Sequence, residues 1–473
     1  MKKKKDYLLL IVLIPLFVYA LLTLFVPTGV FSGGEFVKDE VSSLGFYGLF
    51  SASVTSFSVL AQNVIFLLCV GGFYGVLNKT GVYQNIVDSL AKENKKVLLV
   101  ITVILFALIS SLFGSTMFVF SSSLFGGAMV AFLLLPFFIS ILVKSGYSKV
   151  SSIAATVGST LIGTIASTTG CLGFLKNYLN LEPKAYIIYN IIMLVILMFL
   201  LCMFIITKDK KEGTKKESIK DIPLFEASKD NKKSKAPLII VLVIALLLII
   251  IGGYNWDITY GFKGFTNLHE TITNFELFKI NIFTRLFGNL SAIGAFSIND
   301  VTAIIIIASL VIAWVYSVKD FFDAFINGAK EMLLPSIYVV LASVIFTQML
   351  IANGNISMTL ISPILKLFKD FNVFTGTLAG IVGSFFYNDS LYMINGLYGI
   401  INTFDATRLP LIVNVFQSTF GIMMFVLPVS ILLVGTLKFL NVSYKEWIKY
   451  IWIFLLQVFA ISVIGNVILS MII

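Results

Sequence analysis

The chain has 473 residues, of which 58% are hydrophobic and only 12% are charged. Soluble domains carry about a quarter charged residues, so this composition excludes an ordinary soluble protein. The formal net charge of +10 comes largely from lysines between apolar runs, which is typical of topogenic charge and not of nucleic-acid binding.

Apolar runs of about twenty residues recur along the chain, each long enough to cross a hydrocarbon layer of about 30 Å. The runs are continuous and not alternating, which excludes a transmembrane β-barrel. The sequence therefore predicts an all-α polytopic membrane protein with about 10–12 transmembrane helices. The predicted spans lie near 7–27, 57–77, 97–114, 124–143, 151–173, 185–207, 237–253, 300–318, 333–352, 373–401, 410–438 and 447–472. Two apolar but short segments, 282–298 and 355–369, are expected to be re-entrant hairpins or amphipathic surface helices.

The chain divides into a first transmembrane half, residues 1–207, and a second, residues 237–473. Between them, residues 208–236 are charged and poor in large apolar side chains, which predicts a flexible basic linker that could also contact anionic lipid. Lysines at the N-terminus and after the second, fourth and sixth spans predict a cytoplasmic N-terminus in the plasma membrane. The first run is expected to be a retained span, because it is too long for a signal-peptide core.

Each half contains a long span interrupted by small or polar residues, at 150–173 in the first half and 376–401 in the second. Interrupted spans in corresponding positions point to a secondary transporter built from two inverted repeats, with a midplane site and alternating access. The alternative is that the small residues only allow close helix packing.

The second interrupted span has Asp389 at its centre. A carboxylate that faced lipid there would cost about 2.5–3.5 kcal/mol, so we expect it to face a cavity, a partner or an ion. It is predicted to bind a cation, a proton or the cationic part of a solute. The alternative is a carboxylate in a shallow hydrated loop, or one satisfied by Asn388 and Asn395.

Other polar side chains within the apolar spans are candidates for neutral ligands around the same site. The candidate substrate- or ion-binding residues are Asn388, Asp389, Ser390, Gln417, Ser418, Thr419, Ser167 and Thr168. The alternative for each is an interhelical hydrogen bond, worth about 0.6 kcal/mol on average.

Several chemistries have no signal in the sequence. It has no GxxxxGK[ST] phosphate loop, no HExxH and no TVGYG filter, and its cysteines show no metal-ligand spacing. We therefore expect that the protein is not an enzyme and has no metal site and no resident cofactor. The expected coupling ion is Na⁺ or H⁺.

Four stretches resemble one family in the same order. Residues 70–81, VGGFYGVLNKTG, are similar to the signature that ends the second span of YfcC-type transporters, and residues 125–147, 327–333 and 416–450 resemble further family motifs. These transporters belong with the AbgT and four-carbon-dicarboxylate carrier (DcuC) families in the ion transporter superfamily. The resemblance implies a transporter or exchanger of a small organic solute, either an amino acid such as arginine or ornithine or a carboxylate.

The departures from the family pattern bear on the site. Met129 and Val130 stand where the pattern has a pair of glutamates, Cys171 follows Gly170 where it has Asn-Pro, and Phe420 replaces an acid. The transported substrate or the coupling ion can therefore differ from that of the YfcC-type transporters. The open alternatives are a sodium/proton antiporter, and a non-transporting scaffold or sensor with the linker as its partner site. We expect a small-molecule substrate and the lipid bilayer as partners and no nucleic acid; a homodimer is left open.

Overall fold

The computed structural model of the protein describes residues 7–32, 35–114, 126–171, 175, 184–212, 222–226, 233–277, 280–288, 290–351 and 356–472. Helices dominate this described part, and the predicted all-α class is confirmed. Its sheet content is two short antiparallel pairs, β1 (Gly29–Ser32) with β2 (Glu35–Lys38) and β3 (Glu276–Leu277) with β4 (Ile280–Asn281).

The helices of the first half are α1 (Leu8–Phe25), α2 (Gly45–Val59), α3 (Ala61–Thr80), α4 (Val82–Ala91), α5 (Lys95–Phe113), α6 (Gly127–Lys144), α7 (Lys149–Ile153), α8 (Ser159–Ile165) and α9 (Lys184–Glu212). A π-helical turn, Ala154–Gly158, joins α7 to α8. Such turns are typical of functional sites within helices.

The helices of the second half are α10 (Ala236–Gly253), α11 (Trp256–Tyr260), α12 (Gly264–Thr273), α13 (Ile282–Phe287), α14 (Ile298–Tyr316), α15 (Phe321–Ala342), α16 (Val344–Ile351), α17 (Ile356–Leu365), α18 (Val373–Ser384), α19 (Ser390–Gly396), α20 (Tyr398–Ile401), α21 (Leu409–Met423), α22 (Ile431–Leu440) and α23 (Tyr444–Ile472). A short 3₁₀ turn, Ala406–Arg408, precedes α21.

Within the described residues, nine helices are long and apolar enough to cross a membrane, or ten if the bent pair α16–α17 is one span. The protein is therefore a multi-pass membrane protein. Nine lies below the expected range of about 10–12 and ten lies at its lower end, because the predicted spans 151–173, 373–401 and 410–438 are each broken into shorter helices. The break after α21 contains Pro428, whose missing N–H and fixed φ disfavour a continuous helix.

Three predicted boundaries are wrong. The span predicted at 333–352 begins at Phe321 and is broken at Ser343, because the polar residues before 333 form exposed turns of α15 and not a loop. Helix α2 occupies residues that were assigned to a loop and to the start of the second span. Of the ambiguous segments, 282–298 holds the six-residue helix α13 and 355–369 holds α17.

The two halves touch where α3 crosses α15. A Cβ on Gly71 would lie 2.5 Å from the carbonyl oxygen of Gly328, and one on Gly328 would lie 2.8 Å from the Cα of Gly75. The two backbones therefore meet with no side chain between them, as small residues spaced four apart allow in membrane helices. The glycines of residues 70–81 thus allow a close helix contact.

We expect Gly75→Ala to lower the free energy of unfolding by about 1–3 kcal/mol, as overpacking does in other cores. The added methyl would press on the backbone oxygen of Ala324, which a rotamer change cannot move away. The measurement is thermal unfolding of the purified protein in detergent.

Gly158→Ala is the matched control for this substitution. A Cβ on Gly158 would have its nearest neighbour at 3.6 Å, an ordinary van der Waals contact. Its effect should stay within about 0.5 kcal/mol. Equal melting temperatures for the two variants would contradict the backbone contact between α3 and α15.

Candidate functional site

The first-half break begins where α8 ends at Ile165, and it is fixed against the end of α5. Ser167 Oγ donates to the carbonyl of Ser111 at 2.9 Å, and Ser111 Oγ donates to the carbonyl of Ala166 at 3.0 Å. The backbone N–H of Thr168 donates to Ser111 Oγ at 3.2 Å. The contacts of Ser167 and Thr168 with Ser111 therefore hold the break in place. The carbonyl groups of residues 165 and 167 take no part in these contacts.

Gln417, which lies on α21 in the second half, donates hydrogen bonds to those two carbonyl groups. Its Nε2 lies 3.4 Å from the oxygen of Ile165 and 3.2 Å from that of Ser167. The hydroxyl of Tyr186, on α9, lies 2.6 Å from Gln417 Oε1 and 2.9 Å from the Ser167 oxygen, so its one proton can go to either acceptor. Gln417 and Tyr186 are both completely buried. A single amide thus joins the first-half break to α21.

The second-half break lies between α18 and α19, and Asp389 caps α19. Its Oδ1 accepts from the backbone N–H groups of Leu391 at 2.8 Å and Tyr392 at 3.1 Å. The carboxylate is completely buried, and the partial positive charge of the helix N-terminus stabilises it there. The predicted alternative partner Asn395 is exposed, while Ser390 is buried in the first turn of α19. Backbone N–H groups therefore stabilise the negative charge of Asp389.

Asn388 binds carbonyl groups at two further helix ends. Its Nδ2 donates to the carbonyl of Val429, between α21 and α22, and lies 3.5 Å from that of Ala342, at the end of α15. Within the described part of the chain, its Oδ1 has no hydrogen-bond partner although the side chain is only 5% exposed. Asn388 therefore donates hydrogen bonds to carbonyl groups at the second-half breaks, as Gln417 does at the first-half break.

A small cavity of about 20 Å³ lies beside Asn388, between the two halves. Its lining comprises Ala128, Thr160, Leu161 and Thr164 of the first half and Asn388, Phe420, Met424, Ser430, Ile431 and Leu432 of the second. That volume holds about one water molecule. The predicted site residue Asn388 thus faces a small cavity that both halves line.

A residue that the sequence did not nominate for the site also lies at the first-half break. Cys171 is buried there beside Tyr186, and its thiol lies within electrostatic range of Asp389. Tyr186 therefore lies next to both Cys171 and Gln417. Tyr186 lies at the start of an apolar helix, and nothing in its local sequence sets it apart from the other aromatic residues of the spans.

Two predicted residues lie outside this arrangement. Ser418 Oγ accepts from Asn466 Nδ2 at 3.0 Å and so faces α23. Thr419 faces α18, where a Cβ on Gly380 would lie 3.0 Å from the Thr419 Cβ. Successive residues of an α-helix point about 100° apart, so Gln417, Ser418 and Thr419 cannot share one site.

The charge of the site is low. Among the described residues, Asp389 is the one buried side chain that carries a formal charge. The part of the chain that the structure covers shows no group of three or more His, Cys, Asp or Glu that could hold a metal ion. The remaining groups are amides, hydroxyls and helix ends, which can bind an ionised ligand only through neutral donors and acceptors.

The comparisons with known proteins agree with this architecture. A family model described as DcuC, the C4-dicarboxylate anaerobic carrier, matches residues 6–387 and 401–471. No curated protein matches the sequence. Among solved structures, the chain is similar to the YdaH transporter of Alcanivorax borkumensis, at 14% identity over 98% of this chain and 97% of that one, with a TM-score of 0.34. The predicted family relationship is confirmed: the chain belongs to the C4-dicarboxylate anaerobic carrier (DcuC) family and is a membrane transporter, not an enzyme.

Proposed function

We propose that the protein exchanges small dicarboxylates across the plasma membrane by alternating access. The observation that carries this proposal is the family match, which covers nearly the whole chain and bears the name of a C4-dicarboxylate carrier. The binding site that we propose lies between the first-half and second-half breaks, around Asn388 and Gln417. Its position agrees with the general rule that transporter sites lie between broken helices.

Neutral donors would hold the substrate carboxylates. No lysine or arginine is buried among the described residues; Arg285 is exposed, and Arg408 donates to the carbonyl of Ser470 at 2.8 Å. The cavity beside Asn388 adjoins the N-terminus of α22, whose N-cap Ser430 makes no side-chain cap hydrogen bond. A helix N-terminus with free N–H groups and a nearby amide is a favourable place for an anion.

The cavity is too small for a dicarboxylate in this conformation. Its volume of about 20 Å³ suits one water molecule. Binding then requires α8 to separate from α21 and α22. The hydrogen bonds of Gln417 cross this boundary, so we propose that they break and reform during transport.

Asp389 would bind the coupling cation and not the substrate. A buried carboxylate repels a dicarboxylate, and it attracts H⁺ or Na⁺. Its Oδ1 also caps α19, so a bound cation would weaken that cap and change the position of the helix. We propose that this link connects cation binding to the movement of the second-half break.

The first test is counterflow in proteoliposomes. With unlabelled succinate inside, we expect accumulation of labelled succinate or fumarate and no arginine–ornithine exchange. Sodium-driven proton movement without any dicarboxylate counterflow would identify an antiporter instead. Arginine–ornithine exchange in place of dicarboxylate exchange would assign the amino-acid substrate class.

The second test separates the two roles of Asp389. Asparagine caps helices about as well as aspartate, whereas alanine costs about 1 kcal/mol. We therefore expect Asp389→Asn to keep the melting temperature of the parent and Asp389→Ala to lower it. Counterflow of the parent should vary with sodium or pH, and this dependence should vanish in Asp389→Asn. An unchanged dependence would show that Asp389 is only a helix cap.

The third test compares two tyrosines one turn apart on α9. Tyr186→Phe removes a hydroxyl that binds Gln417, and the unpaired buried acceptor should cost about 1–3 kcal/mol. Tyr189→Phe is the control, because its partner Asn466 keeps a second hydrogen bond from Asn414 at 2.7 Å. Melting temperature and counterflow should both fall further in Tyr186→Phe. Equal losses in the two variants would remove Tyr186 from the site.

A further inference from the structure

A short piece of the charged segment between the two halves is docked on the helices. Residues 222–226 have the sequence IPLFE, and we refer to them as the strap. Ile222, Leu224 and Phe225 are 3%, 6% and 6% exposed. The composition of residues 208–236 predicts a flexible linker, and for the strap that expectation is wrong. Most of the other linker residues lie outside the described part of the chain.

Two side-chain amides bind the backbone of the strap. Asn78 Nδ2 donates to the carbonyl of Leu224 at 2.9 Å, and Asn78 Oδ1 accepts from the N–H of Glu226 at 3.2 Å. Gln84 Nε2 donates to the carbonyl of Glu226 at 3.0 Å and to Asn78 Oδ1 at 3.1 Å. An amide that both donates to and accepts from a peptide backbone replaces the pairing that a neighbouring strand would supply. The groove thus recognises the main chain of a short turn segment.

The side chain of Phe225 fills a pocket beside this amide pair. Its ring centroid lies 6.0 Å from that of Tyr83, and Lys144 Nζ lies 5.6 Å from the Phe225 ring centroid. A buried aromatic ring with a cation over its face is a strong anchor. The exposed pair of Glu226 with Lys79, at 3.1 Å, adds little by comparison. Specificity for the strap therefore comes from Phe225.

The strap covers the end of the crossing between α3 and α15. Together they line an open cavity of about 360 Å³. Its walls are formed by Gly75, Asn78, Lys79, Ile222, Pro223, Leu224, Phe225, Glu226, Ala324, Asn327, Gly328 and Glu331. The glycines of this wall are those that bring the two halves into backbone contact. The docking contacts of the strap described above are with α3, α4 and α6, whereas α15 forms the opposite wall.

The strap is held in a conformation that it would not keep alone. The φ of Leu224 is +60°, a region that residues with a Cβ rarely adopt. The docked backbone is therefore maintained by the groove and not by local preference. Such an element can leave its site without unfolding a helix.

We propose that the groove formed by Asn78, Tyr83, Gln84 and Lys144 is an intramolecular peptide-binding site, and that the strap is its reversible occupant. When docked, the strap forms the wall of the cavity opposite α15, shields Ala324 and restrains the crossing of the two halves. When released, it removes this wall and lets α15 move relative to α3. This proposal concerns the regulation of transport and holds for any transported solute.

The test measures access to the cavity, so it does not depend on the substrate. Ala324 is 3% exposed and lines the cavity, so Ala324→Cys supplies a thiol for maleimide labelling of the purified full-length protein. Adding Phe225→Ala should raise the labelling rate at least about tenfold, since it removes a buried aromatic anchor. Adding Glu226→Gln, which alters only the exposed ion pair, is the control and should leave the rate unchanged. The parent protein, with Cys69 and Cys171 buried and Cys202 partly buried, measures background labelling.

A second variant locks the strap in place. Lys79→Cys with Glu226→Cys, joined by a short bifunctional maleimide, should yield a cross-linked peptide pair detectable by mass spectrometry. The lock should slow labelling of Ala324→Cys, and in proteoliposomes it should slow solute counterflow. Failure to cross-link, or an equal labelling rate in the locked, parent and Phe225→Ala backgrounds, would overturn the proposal. Failure of dicarboxylate counterflow alone would overturn the proposed substrate and leave the labelling result to decide on the strap.

Discussion

The architecture depends on one constraint, which is that backbone groups freed by a broken helix must find partners where water is absent. In the first half, the carbonyl groups of Ile165 and Ser167 find theirs in Gln417. In the second half, those of Ala342 and Val429 find theirs in Asn388. One amide binds two carbonyl groups in each case, so two residues stabilise three helix breaks. Because these partners are side chains, the breaks can reopen without loss of secondary structure.

Two kinds of contact therefore join the halves, and they differ in how they can move. Between α3 and α15 the backbones touch at Gly71, Gly75 and Gly328, with the side chains of Phe325 and Met332 packed beside them. Between α8 and α21 the approach of Gly421 to the Ile165 backbone is joined by directional hydrogen bonds around Gln417. A packed crossing suits a pivot, because packing is satisfied over a small range of angles. A hydrogen-bonded contact suits the part that separates, because each bond can be exchanged for one to water or to substrate.

The sequence predicted the features that depend on local composition and spacing. The interrupted spans, the small residues of 70–81 and the cost of burying Asp389 could all be read from it. The partners were not, because they lie far away along the chain: Tyr186 and Gln417 are 231 residues apart. The strap was missed for a different reason. Averaged over residues 208–236, four apolar residues are outweighed by the surrounding lysines, and their docking depends on Asn78 and Gln84, which local composition cannot reveal.

The small number of buried carboxylates bears on how transport is driven. Met129, Val130 and Phe420, which the resemblance to YfcC-type transporters places at acidic positions of that pattern, are buried side chains, and a weak hydrogen bond runs from Asn63 Nδ2 to Met129 Sδ at 3.8 Å. Asp389 is the one carboxylate that could hold a cation in the described core, so a dicarboxylate would cross with at least one uncompensated negative charge. Uptake against an interior-negative potential costs about 2.3 kcal/mol per charge at 100 mV. Exchange of one dicarboxylate for another moves no net charge and avoids this cost, so a core with a single buried carboxylate favours exchange over cation-driven uptake.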